Sequence, residues 1–128
     1  MFDQWLDRSH GDLSFRLTQL LTGHRCFAAF LCRINKLEAP VCLECDSQMR
    51  DDENHTLCVC DAWNDPRDVL RETIGVNLAL SSVIRAMLSG EDKWRAVAEF
   101  AEMIIAKKEE VERQREGIVL SVAGPMDT

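Results

Sequence analysis

Cys42-Leu-Glu-Cys45, a nine-residue spacer, His55, four more residues and Cys60 form the set in this chain best suited to chemistry. The pattern C-x2-C-x9-H-x4-C offers three thiolates and one imidazole, the number and kinds of ligand that tetrahedral Zn²⁺ takes in closed structural sites. The two-residue cysteine spacing lets both sulfurs face one ion. The spacer from Asp46 to Asn54 is glycine-free and mostly polar, with consecutive acids at Asp51, Asp52 and Glu53, so an ion held at both ends closes it into a loop. One structural zinc ion is the expected cofactor. Cys58 competes for the fourth place: three residues after His55 it shares a helical face with it, whereas Cys60, five residues on, needs the chain to turn. Five-residue steps from a helical ligand occur in zinc fingers, which favours Cys60.

Elements on either side must position these ligands. Leu13, Leu17, Leu20 and Leu21 recur at helical spacing from Asp12 to a stop at Gly23, and Phe27, Phe30, Leu31 and Ile34 repeat the pattern. The two predict a helical hairpin turning at Thr22-Gly23-His24, closed by Pro40. A short helix over Glu53 to Trp63 is expected to carry His55. Asp65-Pro66 reads as a helix start, with Val69, Leu70, Thr73 and Ile74 before Gly75. Leu78, Leu80, Val83, Ile84, Met87 and Leu88 predict another helix, stopped by Ser89-Gly90. The longest begins near Asp92 and aligns Trp94, Val97, Ala98, Ala101, Ile104, Ile105 and Val111. Its charged end, KKEEVERQRE, is expected to project into solvent with Lys108/Glu112 and Glu109/Arg113 as pairs.

The expected fold is therefore all-α, a small helical domain with an N-terminal hairpin, a zinc-pinned loop and a long C-terminal helix. Its segments are a hairpin over 1–38, the metal segment over 39–64, C-terminal helices over 65–116 and a disordered tail over 117–128. Cys26 and Cys32 read as packing residues, Trp63 as cover for the metal loop, and Trp5 and Trp94 as core.

Composition narrows the function. In 128 residues, 46% hydrophobic and 29% charged usage suits one globular domain. The start MFDQWLDRSHGDL lacks the pattern of a signal peptide, and no apolar run is long enough to span a membrane. A nuclear or cytoplasmic setting with reduced thiols is expected, with no membrane partner and no small-molecule substrate. A net charge of −7 weakens any hold on phosphate, yet Arg16, His24, Arg25, Arg33 and Lys36 make the first third locally basic. A zinc ion with four protein ligands has no open position for water, and neither a Ser/His/Asp set nor a phosphate-cradling glycine loop is present. No enzyme activity is expected of this chain.

LTQLLTGHRCFAAFLCRI, then CLEC, then HTLCVCDAW, resemble the C-terminal region of arthropod non-LTR (LINE-type) retrotransposon polyproteins, whose pattern is close to LTQxLTGHGCFxxYLHRI, C-x2-C, an acidic stretch and H-T-x3-C-x-x-W. IRAMLSGEDKWRAVAEFAEMIIAKKEEVERQRE is similar to that family's terminal helix. The resemblance implies CCHC ligands at Cys42, Cys45, His55 and Cys60, placing the fourth on Cys60. It also implies an accessory role beside a reverse transcriptase, binding RNA or target DNA during target-primed reverse transcription. Arg25 stands where the family usually has glycine, and Cys32 where it usually has histidine. The basic residues His24, Arg25, Arg33, Arg16 and Lys36 are the candidates for meeting nucleic acid. The alternative role is a protein-interaction module that docks on the polymerase or self-associates through its long helix.

Overall fold

Apolar residues at three- and four-residue steps fold this chain into helices stacked along one long helical spine. The computed structural model describes residues 13–123, with side chains up to residue 117. Among the described residues five α-helices run in order: α1 (Phe15–Thr22), α2 (Ala28–Arg33), α3 (Asn64–Ile74), α4 (Leu80–Ser89) and α5 (Glu91–Ala123). The fold is all-α. Its 33 residues make α5 about 50 Å long at ~1.5 Å per residue, and α1, α3 and α4 all pack against it. No helix among the described residues is long and apolar enough to cross a membrane.

Helix α1 starts because Ser14 Oγ accepts the Leu17 N–H (3.0 Å), and it stops where Gly23 enters the left-handed region at φ 68°. A Cβ at Gly23 would sit 3.1 Å from the Glu53 carboxylate, so the hairpin turn lies against the metal loop. Leu17 and Leu20 face inward without exposure to water. Each such leucine contributes roughly 1.5–3 kcal/mol by leaving water.

Helix α2 has only six residues and no cap from Phe27. Asp51 supplies one from the loop instead: its Oδ2 accepts the Ala28 N–H (2.9 Å) and its carbonyl accepts the Ala29 N–H (3.1 Å). The loop itself is closed at its base by an antiparallel bridge between Val41 and Arg50.

The core joins Leu17, Leu20 and Phe27 to Leu57, Trp63, Leu70, Val83 and Met87, with Trp94, Val97, Ala101, Ile104 and Ile105 from α5. Trp94 takes the core position expected of it; Trp5 lies outside the described residues. Val69, placed on the apolar side of α3 by sequence, is 64% exposed, because Leu70 and Ile74 share their stripe with Arg67 rather than with Val69.

Four expectations are corrected. Glu53 to Trp63 is not one helix: a π-helical turn (His55–Val59) and a 3-10 turn (Asp61–Trp63) meet at Cys60, which is extended at φ −61°, ψ 122°. Helix α3 opens at Asn64, so Pro66 takes its third position, where the N–H is still unneeded within the helix. The charged end of α5 does not simply project. Lys108 is buried, and Glu109 receives Arg16 Nη2 (2.8 Å) and Gln19 Nε2 (3.3 Å). The pairs within this end are the exposed Glu110 with Arg113 and the half-buried Glu112 with Arg115, each three residues apart. Helical structure continues through Gly117 to Ala123, where no proline interrupts it, so the disordered tail expected from 117 is not found up to that point; residues 124–128 lie outside the description.

Burial works against ionisation of Glu109, but the hydrogen bonds from Arg16 and Gln19 outweigh it and hold the carboxyl below its ordinary value. A depressed carboxyl stabilises the fold above its unfolded value of 4.5 and loses that contribution as pH falls through the folded value. At equal metal loading, Glu109→Gln is expected to lose less stability than the native chain as pH falls below 4.5. Urea midpoints measured across that range check this, and identical pH slopes would refute it.

Candidate metal centre

The turn geometry brings four donors to one point. Cys42 and Cys45 come from the loop, and His55 and Cys60 from the π-helical turn and the residue that ends it. Cys60 N–H closes that turn on the His55 carbonyl (2.8 Å), a five-residue step that returns Cys60 to the His55 side. On a regular helix that step would miss. Cys58 stays outside the cluster, half-buried, with burial pushing its thiol up.

Cys42 Sγ and Cys60 Sγ are 3.7 Å apart, Cys45 Sγ is 3.4 Å from His55 Nε2, and all four donor atoms lie within 4.8 Å of one another. A tetrahedron with Zn–S of ~2.3 Å and Zn–N of ~2.0 Å has edges of roughly 3.5–3.8 Å. The two measured edges fit that size, whereas a disulfide needs ~2.05 Å. All the cysteines are free thiols. The cluster can hold one metal ion, and its soft donor set suits zinc.

Backbone N–H groups are already aimed at the sulfurs. Glu44 N–H lies 3.4 Å from Cys42 Sγ, the Ser47 backbone serves Cys45, and the Ala62 backbone serves Cys60. Each donor sits two residues beyond its cysteine, and each favours the thiolate over the thiol. Cys45 shows the result: burial opposes ionisation, but the Ser47 hydroxyl and N–H, with His55, bring its thiol down to about 6. Cys42 and Cys60 are buried and pushed up. Those two sulfurs need a cation beside them to ionise, which a metal ion supplies. His55 turns Nε2 to the cluster; its Nδ1 is buried and unpartnered among the described residues, and the His55 N–H is held by Asp52 Oδ1 (3.0 Å).

Two buried cations brace the ligand halves, and sequence reasoning passed over both. Arg67, 2% exposed, donates to the carbonyls of Leu57 (3.0 Å), Thr56 (3.0 Å) and Cys60 (2.7 Å), and to Asn64 Oδ1 (3.0 Å). Burial lowers its pKa, yet every acceptor lies on or beside the turn bearing His55 and Cys60. Lys108 does the same for the other half: its Nζ meets Glu44 Oε1 at 2.8 Å and Asp51 at 2.9 and 3.0 Å, above the Phe27 ring. Burial would lower the Lys108 pKa, but Asp51 and Glu44 raise it above its ordinary value. Asp51, read from sequence only as one of the acids of the polar spacer, is therefore buried and paired. The signal lay in register: Lys108 continues the seam of Trp94, Val97, Ala101 and Ile104, and Arg67 falls four residues after Trp63 and three before Leu70.

The basic candidates divide. His24, Arg25, Arg33 and Lys36 are exposed. His24 lies 4.9 Å from the Phe30 ring centre, Arg33 lies 5.1 Å above the same ring, and Arg25 lies 4.7 Å above Phe15. Arg25 and Lys36 also line a cleft of about 390 Å³ beside Phe30. Arg16 sits apart, its charge taken up by Glu102 (3.2 Å) and Glu109 (2.8 Å). Cys26 and Cys32 are half-buried and outside the cluster, and burial pushes the Cys26 thiol up to about 12. Trp63 is buried beside the ligand turn, its backbone N–H donating to the Cys60 carbonyl (3.2 Å).

Comparison of the chain with protein-family models, curated proteins and solved structures finds no match.

Zinc measured on the purified protein is expected at one ion per chain in the native protein and in Cys58→Ser. Cys60→Ser is expected to weaken binding by more than ~100-fold, since even outer-sphere changes commonly cost 10–100-fold. The reverse ranking would exclude Cys60 as the ligand.

Proposed function

We propose that this chain is a zinc-stabilised accessory module of the kind that ends non-LTR retrotransposon reverse transcriptase polyproteins, binding RNA or target DNA through the α1–α2 hairpin. The observation that carries this reading is the grouping of exposed cationic and aromatic side chains around Phe30. His24 and Arg33 flank that ring, while Arg25 and Lys36 open onto the cleft beside it. Cations laid over aromatic rings combine phosphate attraction with surfaces on which bases stack, the usual means of holding single strands. The opposite cleft wall carries Glu109, Glu112 and Glu116 against the single cation Arg113, so its net negative charge turns a phosphate backbone toward the α2 side. Arg16 drops out of the interface, because its charge is already matched by two glutamates.

The Arg25 backbone supports the same reading. At φ 66° it occupies the left-handed region that favours glycine, the residue usual at this place in the family the sequence resembles. A side chain there costs roughly 1–2 kcal/mol. Retaining arginine against that cost is consistent with a use for its charge. Zinc, in this reading, has no catalytic part: it pins the loop that caps α2 and abuts the hairpin turn.

A second reading is favoured by the net charge of −7 and by a set of exposed apolar residues, Leu13, Phe15 and Met103. Here the module docks on the polymerase or on a second copy of itself.

Salt titration separates the two. Binding to single-stranded RNA is expected to fall steeply with salt, and a triple alanine change at Arg25, Arg33 and Lys36 should reduce the log–log slope by about 2, at ~0.7 per phosphate contact. Arg25→Gly alone is expected to stabilise the fold by about 1 kcal/mol while weakening RNA binding. Undetectable binding at low salt, with a mass that rises with concentration in sedimentation, would overturn the first reading in favour of the second.

A further inference from the structure

Lys108 lies on α5, far in sequence from every ligand, yet its ammonium reaches into the ligand loop. Glu44, between Cys42 and Cys45, offers it Oε1 at 2.8 Å; Asp51, between Cys45 and His55, offers both oxygens at 2.9 and 3.0 Å. The Lys108 side chain has no exposure, Asp51 has 2% and Glu44 has 8%. Glu44 also touches the site directly: its N–H lies 3.4 Å from Cys42 Sγ, and its Oε1 lies 3.5 Å from the same sulfur. One acidic side chain thus separates a ligand sulfur from the buried ammonium.

An ammonium without access to water is tolerated only while carboxylates face it. Those carboxylates belong to a loop that holds a single backbone bridge, Val41 with Arg50, and no helix between Pro40 and Asp52. That bridge ties the base of the loop, and the segment between Arg50 and the ligand turn keeps its entropy until a further tie removes it. An ion on Cys42, Cys45, His55 and Cys60 would supply that tie, joining the loop to the ligand turn and so holding Glu44 and Asp51 in the places where Lys108 needs them. We infer that Lys108 is the positioning residue that couples metal loading to docking of α5. Loading the site tightens α5 on the loop, and docked α5 raises the metal affinity by the same factor, as linkage requires. This inference rests on the metal reading of the cluster and adds a control exerted from outside it.

The sign of one substitution distinguishes coupling from simple electrostatics. A cation near a metal ion repels it, so if Lys108 were a bystander, Lys108→Met would tighten metal binding. If Lys108 positions the loop, the same change weakens it. Co²⁺ serves as the probe, its affinity measured by visible absorption and chelator competition on the full chain. Val83→Ala is the control, since Val83 is a fully buried α4 residue outside the ligand loop. Lys108→Met is expected to bind Co²⁺ about tenfold more weakly than Val83→Ala, a difference of ~1.4 kcal/mol. Affinity equal to or tighter than the control overturns the inference. If native protein takes up no Co²⁺, the metal reading fails with it; if native protein binds and the two variants match, only the coupling fails. Should Lys108→Met not fold, amide exchange on the native chain decides. Co²⁺ is expected to slow exchange in residues 101–112 of α5 as well as in the loop, and protection confined to residues 41–60 overturns the coupling.

Discussion

A buried positive charge must be answered where it lies, and Lys108 is answered by two acids from the segment that carries the metal ligands. Removing the ammonium would strand Asp51 and Glu44 out of water, a loss of about 3–5 kcal/mol for a broken buried pair. Asp51 caps α2 with its remaining lone pairs, so the same contact fixes the hairpin, the loop and the spine together. Arg67 complements it by collecting three carbonyls around the turn that presents His55 and Cys60. The donor set is thus braced from two sides, by Arg67 at the turn and by Lys108 at the loop, and an ion would join the two halves. That bracing explains how four donors from an irregular segment come within 4.8 Å of one another.

The site's chemistry follows from this enclosure. Buried thiols resist ionisation, and backbone N–H groups two residues beyond each cysteine partly reverse that resistance. At Cys42 and Cys60 a divalent ion would complete the reversal, so that ion binding and thiolate formation there would be one event. An ion with all four of its places taken by these donors would stabilise a shape rather than activate water. The shape places an exposed cationic and aromatic group on one side of the domain, and the proposed contact with nucleic acid depends on it.

Helical periodicity was readable almost throughout, because three- and four-residue spacing of Leu, Ile and Val reports which face leaves water. The ligand set was readable for a similar reason, since metal spacing is local. What could not be read was long-range compensation. Lys108 looked like part of a solvated charged run, because its partners lie 64 and 57 residues earlier. Arg16 looked available for phosphate for the same reason, its glutamates lying 86 and 93 residues later. The expected helix over Glu53 to Trp63 was half right: its residues do coil, but the five-residue turn that returns Cys60 to His55 has no signature in propensity. Register offered the one missed clue, because a charge on an apolar seam is either misplaced or paired.

X-ray absorption at the zinc edge on the purified chain tests the central claim most directly. Three sulfurs at ~2.3 Å and one nitrogen at ~2.0 Å around a single ion are expected. Oxygen-dominated coordination, two sulfurs only, or protein that folds identically with no metal bound would contradict it.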